Sequence, residues 1–202
     1  MKVQEALEQL KKDKRKFDQS VDLIVNLKKF DLKRNAINIL IRLPHKIKEV
    51  KIAGFLEKES KLIDSVTEKD FKAYKKSDIK KLGKRYDFLI ANAKLMPKIA
   101  TTFGRYLGPI GKMPSPQTGI LAQENEEEIK KIITKLEKAV RIKTKEPSIK
   151  IVIGKQSMKK EELEENIKEA FSKILDALPN KKENVKSVLI KLSMSKPLKI
   201  DL

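Results

Sequence analysis

The apolar residues of this chain change their period twice, near Lys48 and again near Pro147, and this double change restricts the fold more than any single motif. Ahead of Lys48, Val3, Ala6, Leu7 and Leu10 recur at helical spacing and predict a short amphipathic helix running into the basic cluster KKDKRK. Val21, Leu23, Val25 and Leu27 then alternate, which predicts a strand with one buried face and places Ser20, Asp22 and Asn26 on the opposite face with Ile24. Ile37, Ile39, Ile41 and Leu43 repeat the pattern until Pro44 ends it.

Between the two changes the runs are different. EVKIAGF and YDFLIANA are nearly continuous apolar stretches, as expected of strands buried on both faces. Thr67 to Asp70 suits a helix start, and Met96 to about Tyr106 reads as helical with Pro97 tolerated in the first turn. Asn125 to Glu128 fits a capping box ahead of an apolar stripe of Ile129, Ile132, Ile133, Leu136 and Val140. Strand and helix in alternation predict a small three-layer α/β unit with a parallel sheet.

After Pro147 the period of two returns in Ile149, Ile151 and Ile153. Ser157 is placed to cap a helix whose buried face is Leu163, Ile167, Ala170, Phe171, Ile174, Leu175 and Leu178, with Pro179 stopping it. Val188, Ile190, Leu192 and Met194 form a closing strand on which Ser187, Lys191 and Ser193 face the other way. The two ends of the chain together hold four strands and two helices, the inventory of a two-layer α+β domain.

Charge indicates the partner class. With 47 Lys and Arg against 28 Asp and Glu in 202 residues the net charge is +19, and the surplus runs through all three segments rather than forming a tail. A folded body with that potential attracts polyanions, nucleic acid first and anionic membrane surface second. Phe88 to Gln123 has no acidic residue, yet holds Lys94, Lys98, Arg105 and Lys112. The absence of Cys excludes disulfides, thiolate metal sites and cysteine nucleophiles, and a single His cannot hold a metal by itself. No apolar run approaches the about 20 residues of a membrane span, and the N-terminal stretch has no apolar signal core, so a cytoplasmic, unprocessed protein without cofactor or metal is expected.

Catalytic readings fare poorly. The run GRYLGPIGKMP has glycines that could cradle phosphate, but a phosphate loop needs Gly and a hydroxyl where Tyr106 and Met113 stand. His45 has no second His or Cys to work with, and Glu126, Glu127 and Glu128 sit where negative charge favours a helix start. Two rivals to specific RNA binding stay open on residues alone: a nucleotide-dependent enzyme built on the central unit, and a generic polyanion or membrane-surface binder.

Five ordered blocks narrow the choice: KFDQSVDLIVNL, LPH, LGPIGKMPSPQTG, IGKQSM followed by EELEENI, and VLIKLSMSKPLKI. They resemble, collinearly over essentially the whole chain, the universal large-subunit ribosomal protein "L-one" family, in its archaeal type, which forms the lateral stalk. The resemblance implies an RNA-binding α+β domain made from residues 1–49 and 147–202, interrupted by a Rossmann-like α/β domain of residues 50–146. It implies a non-enzymatic protein that binds large-subunit ribosomal RNA, assists release of deacylated tRNA from the exit site, and represses translation of its own mRNA. It also implies a protein that is monomeric when free.

By the same resemblance the RNA-binding positions fall on Lys16, Phe17, Ser20, Asp22, Ser193, Met194 and Ser195, with Arg105, Gly108, Gly111, Lys112 and Met113 as a secondary contact loop. Two positions depart from the family pattern. Ser193 and Ser195 replace the usual Thr and Gly around Met194, so a position that in the family tolerates positive φ carries a side chain here. Lys46 follows His45 where Gly is common.

Overall fold

The computed structural model describes residues 1–11, 15–31, 35, 37–58, 60, 62–116, 118–122, 124–144 and 146–201, the side chain of Lys72 excepted. Lys12, Asp13 and Lys14 of the N-terminal basic cluster, and Gln117 and Gln123 of the central segment, lie outside them. The chain divides into two compact units, one made of Met1–Lys48 with Lys138–Leu202, the other of Glu49–Glu137.

The terminal unit is organised around β1 (Ser20–Leu27), which pairs antiparallel with β8 (Ser148–Lys155) on one side and β9 (Val185–Leu192) on the other. β10 (Leu198–Ile200) adds to β9, giving the order β10-β9-β1-β8. Val21, Leu23, Val25 and Leu27 all point into the core, as their alternation predicts. Burying side chains of this size contributes about 1.5–3 kcal/mol each. They meet Val3, Ala6, Leu7 and Leu10 from helix α1 (Val3–Lys11), and Leu163, Ile167, Ala170, Phe171 and Ile174 from α5 (Lys160–Ala177). The close seat of α5 depends on Gly154: a Cβ there would stand 2.3 Å from Leu163 Cδ2.

A two-stranded ribbon completes this unit. β2 (Asn38–Arg42) pairs antiparallel with β7 (Ala139–Lys143), and Leu43 N–H continues the ladder by donating to Lys138 O at 2.8 Å. This corrects the expected boundary: residues 139–143 belong with the chain ends, because their partner is β2. It also corrects the helical stripe, since Val140 lies in β7, beyond the end of α4 (Glu126–Glu137).

The inserted unit holds a parallel sheet of β4 (Asp64–Thr67), β3 (Ile52–Leu56), β5 (Phe88–Asn92) and β6 (Ile120–Leu121), in that order. One face, from Ala53, Phe55, Leu89 and Ala91, packs on α2 (Lys76–Arg85) and α3 (Met96–Ile110) through Ile79, Leu82, Ile99, Phe103 and Leu107. Phe103 is the hub of an aromatic cluster, with ring centroids 5.0 Å from Phe55, 5.1 Å from Phe71 and 5.9 Å from Tyr74. The other face meets α4: Gly119, at φ 128°, lies where a Cβ would be 2.9 Å from Ile132 and 3.1 Å from Ile90. Helices thus cover both faces of the sheet.

The glycine-rich segment is more ordered than a loop reading allows. α3 continues through Arg105, Gly108 and Pro109 to Ile110, and Gly111 ends it at φ 78°. Gly111 N–H donates to Gly108 O, and Lys112 N–H to Leu107 O, so the last carbonyls of the helix are capped. Ser115 and Thr118 then bond one another through backbone and hydroxyl, closing the turn before β6.

Candidate RNA interface

One face of the β1 sheet carries the core, and the other presents three cross-strand rows. Asp22 lies between Val152 and Lys191, Ile24 between Lys150 and Leu189, and Asn26 between Ser148 and Ser187. Asn26 Nδ2 donates to Ser187 Oγ at 3.0 Å. A register irregularity between Val21 and Asp22, on the β8 side, adjoins the Asp22 row. Bulges of this kind re-aim side chains where a strand meets a partner.

The start of β1 and the end of β9 converge beside that row. Ser193 N–H donates to Ser20 O at 3.1 Å, and Met194 N–H to Gln19 Oε1 at 3.1 Å. Phe17 is 55% exposed and Met194 65% exposed, whereas Gln19 is fully buried. Among the described residues every other Phe and Tyr is buried or half-buried, so Phe17 is the exposed aromatic there. Large apolar side chains held in water next to polar strand ends are an arrangement that a stacked base or sugar would cover.

Neighbouring groups complete the surface. Phe17, Lys11, Arg15, Lys16, Asp18, Gln156 and Ser157 line an open groove of about 470 Å³. Asp18 accepts from Ser157 N–H at 3.0 Å and from its hydroxyl at 2.8 Å, with Lys155 Nζ at 3.9 Å. That use of Ser157 corrects the expected helix cap, because Lys159 occupies the cap position of α5. Burial raises the Asp22 carboxyl above its ordinary value, with Lys191 acting in the opposite sense.

Of the positions that the resemblance implies, Ser20 and Asp22 lie in β1, Lys16 and Phe17 precede it, and Ser193, Met194 and Ser195 follow the end of β9. Met194, however, is not in the closing strand: β9 ends at Leu192, and Ser193 to Ser195 form a turn. Ser195 is not at positive φ. Its hydroxyl accepts from Leu192 N–H at 2.8 Å and approaches Lys196 O at 3.2 Å, so the side chain braces the turn from within. Gln19, Asp18 and Gln156 carry no site signal in the sequence, and Ser157 reads only as a helix cap, since their partners lie over a hundred residues away.

The secondary positions divide. Arg105 and Gly108 are exposed on α3. Lys112 Nζ instead donates to Tyr86 O at 3.1 Å and Asp87 O at 2.6 Å, and Met113 packs against the aromatic core. Gly111, Lys112 and Met113 therefore hold the segment in place.

Nucleotide binding has little room in the inserted unit. The strand order reverses between β3 and β5, the point where open α/β sheets bind ligands beyond the strand ends. There the Glu124 carboxylate accepts from Glu57 N–H at 2.6 Å, Lys58 N–H at 3.2 Å and Asn92 Nδ2 at 2.8 Å. The donors that a phosphate would use already hold a carboxylate. Among the described residues there is no cluster of His, Asp and Glu able to hold a metal, and no helix is long and apolar enough to cross a membrane.

Comparison with known proteins identifies the family. Residues 8–196 match the model of the Ribosomal protein L1p/L10e family. The chain is 37% identical to the large ribosomal subunit protein uL1 of Pyrococcus horikoshii, over 93% of this chain and 89% of that protein. It is also 37% identical to the Thermococcus kodakarensis protein of the same name, over 93% and 90%, and 35% identical to that of Nanoarchaeum equitans, over 93% of each. The chain accordingly belongs to the Ribosomal protein L1p/L10e family, in its archaeal type, as a structural and non-enzymatic ribosomal protein.

Proposed function

We propose that this protein binds large-subunit ribosomal RNA at the lateral stalk through the open end of the terminal sheet. In this reading it assists departure of deacylated tRNA from the exit site and represses its own messenger by binding a copy of the same RNA site. The terminal unit makes the principal contact, and Arg105 with Gly108 on α3 a secondary one. The protein acts in the cytoplasm, monomeric until it joins the ribosome.

The observation that carries the proposal is the exposure of two large apolar side chains at strand ends, Phe17 ahead of β1 and Met194 after β9, the latter with its N–H held by the fully buried Gln19. Phe17 offers a flat face for a base or sugar, and Met194 an adaptable apolar surface. Together they exclude water from hydrogen bonds made by Ser20 and Ser193 to phosphates and 2′-hydroxyls. Asp22, with its raised carboxyl, acts as an acceptor for a 2′-hydroxyl or organises Lys191, since a phosphate placed against it would be repelled.

Alanine replacement of Phe17 or Met194 tests this. Both side chains are exposed, so folding stability should hardly change, while stalk-RNA binding should weaken by about 1–3 kcal/mol for loss of stacking and shielding. A dissociation constant unchanged in both folded variants would refute the site.

A further inference from the structure

The outer side of α2 carries a charge pattern that the terminal sheet does not account for. Lys76, Lys80 and Lys84 recur four residues apart, flanked by Lys75, Lys81 and Arg85, and all six are exposed. Like charges at that spacing repel and weaken a helix. The chain handles charge differently elsewhere: on α5, Glu164 pairs with Lys168 at 2.7 Å and Glu169 with Lys173 at 3.6 Å.

Neutralising groups around α2 are few and already engaged. Asp78 takes Lys75 N–H at the helix start and lies 3.8 Å from Lys81. Glu68, on the segment ahead of α2, is ion-paired to Lys98, and Asp70 accepts from Thr67. α3 packs against α2 where Gly83 meets Leu107, and it contains no carboxylate. Among the described residues Lys76, Lys80 and Lys84 have no ion-pair partner, and they form a row.

We infer that this row is a further RNA-contact surface, beyond the terminal sheet and the Arg105 position on α3, which tracks the phosphates of one strand of an RNA segment distinct from that held by the terminal sheet. Four helical residues advance about 6 Å, so the three ammonium groups repeat at roughly the interval of consecutive phosphates on a nucleic-acid strand. The outer face favours RNA over a protein interface with an apolar core or a membrane surface. Ile79 and Leu82 are buried, and Ile110 lies against Gly83 on the packed side, so the outer face offers no apolar side chain. A protein interface would need such a core, and a membrane-surface helix would need apolar residues to insert. Binding here rests on the RNA reading only in taking RNA as the polyanion, because the residues are separate from Phe17 and Met194.

The test compares wild-type protein, a Lys76→Gln, Lys80→Gln, Lys84→Gln triple variant, the matching triple Arg variant, and Phe17→Ala with Met194→Ala. Each is titrated with stalk rRNA and with a short RNA duplex of unrelated sequence over a range of salt. The Gln variant should bind the duplex more weakly, and its slope of log affinity against log salt should shrink by about 2–3, for three lost phosphate contacts. It should still prefer stalk rRNA to a scrambled sequence, and the Arg variant should restore the slope. Unchanged affinity and slope in a Gln variant that retains its circular dichroism would overturn the inference. So would displacement of the duplex by polyglutamate or phosphatidylserine vesicles at charge equivalence with RNA. A wild-type protein without stalk preference would refute the terminal-sheet reading alone, and the duplex arm would still decide this one.

Discussion

Gln19 provides the most discriminating perturbation, because it is buried and yet holds an exposed recognition element. Its Oε1 accepts from Met194 N–H at 3.1 Å, and its backbone carbonyl accepts from Gln156 N–H at 2.8 Å. Gln19→Leu keeps the volume and the backbone bond but removes the side-chain acceptor. An unmet buried donor costs about 1–3 kcal/mol, and the exposure of Met194 lets water replace part of the loss, so about 1 kcal/mol of stability is expected. Binding should lose more than that. The Ser193 to Ser195 turn, freed from its tether, must be reordered by the RNA, at a cost of about 1–2 kcal/mol, or roughly five- to thirtyfold in affinity. Urea denaturation and fluorescence anisotropy with stalk rRNA measure the two effects on one preparation. A variant with wild-type affinity despite the lost hydrogen bond would refute the claim that Gln19 positions Met194 for RNA.

Three other outcomes follow from the same geometry. Phe17→Ala and Met194→Ala should separate binding from folding, with weaker RNA affinity by anisotropy and an unaltered urea midpoint. Gly154→Ala pushes a methyl group against Leu163 Cδ2 and Met158 Sδ, and overpacking of this kind should cost about 1–3 kcal/mol by urea denaturation. Asp22 sets a pH dependence: its carboxyl is raised by burial, so the folded state is penalised above the raised value and relieved as pH falls through it. Asp22→Asn should therefore be more stable than wild type at neutral pH, with the difference closing as pH falls. RNA phosphates nearby would raise the carboxyl further, so wild-type affinity should increase on acidification and the Asn variant should lack that increment; parallel slopes in the two proteins would count against RNA at Asp22.

Much of the terminal unit was legible because its strands state their faces locally. The alternation through Val21 to Leu27 and through Ile149 to Ile153, and the helical spacing of Val3 to Leu10, each survive as observed burial. β7 was misread because Val140 follows Leu136 by four residues and so continues the phase of α4. Only pairing with β2, about a hundred residues earlier, makes AVRIK a strand. β4, β6 and β10 are short segments whose existence depends on the strand beside them. The glycines and prolines of LGPIGKMP suggested a loop, but in the last turn of a helix their cost is small and Gly111 suits the cap.

The site shows the same division. Phe17, Ser20, Asp22, Ser193 and Met194 came from resemblance to a family motif, and composition alone could not rank them. That Phe17 and Met194 are exposed, and that Ser195 turns its hydroxyl inward, are facts of three-dimensional pairing. Gln19 and Asp18 carry no local signal, and the local signal of Ser157 points to a helix cap instead, because each matters through a bond to a residue far along the chain.

The central claim is that charge draws RNA to the protein while the end of the terminal sheet selects which RNA is kept. A competition assay of stalk rRNA against a scrambled RNA of equal length, run at several salt concentrations, measures both parts. The account predicts that affinity for both RNAs falls steeply with salt while preference for stalk rRNA persists, and that Phe17→Ala with Met194→Ala erodes the preference more than the salt slope. Equal affinity of wild-type protein for the two RNAs at every salt concentration would contradict it.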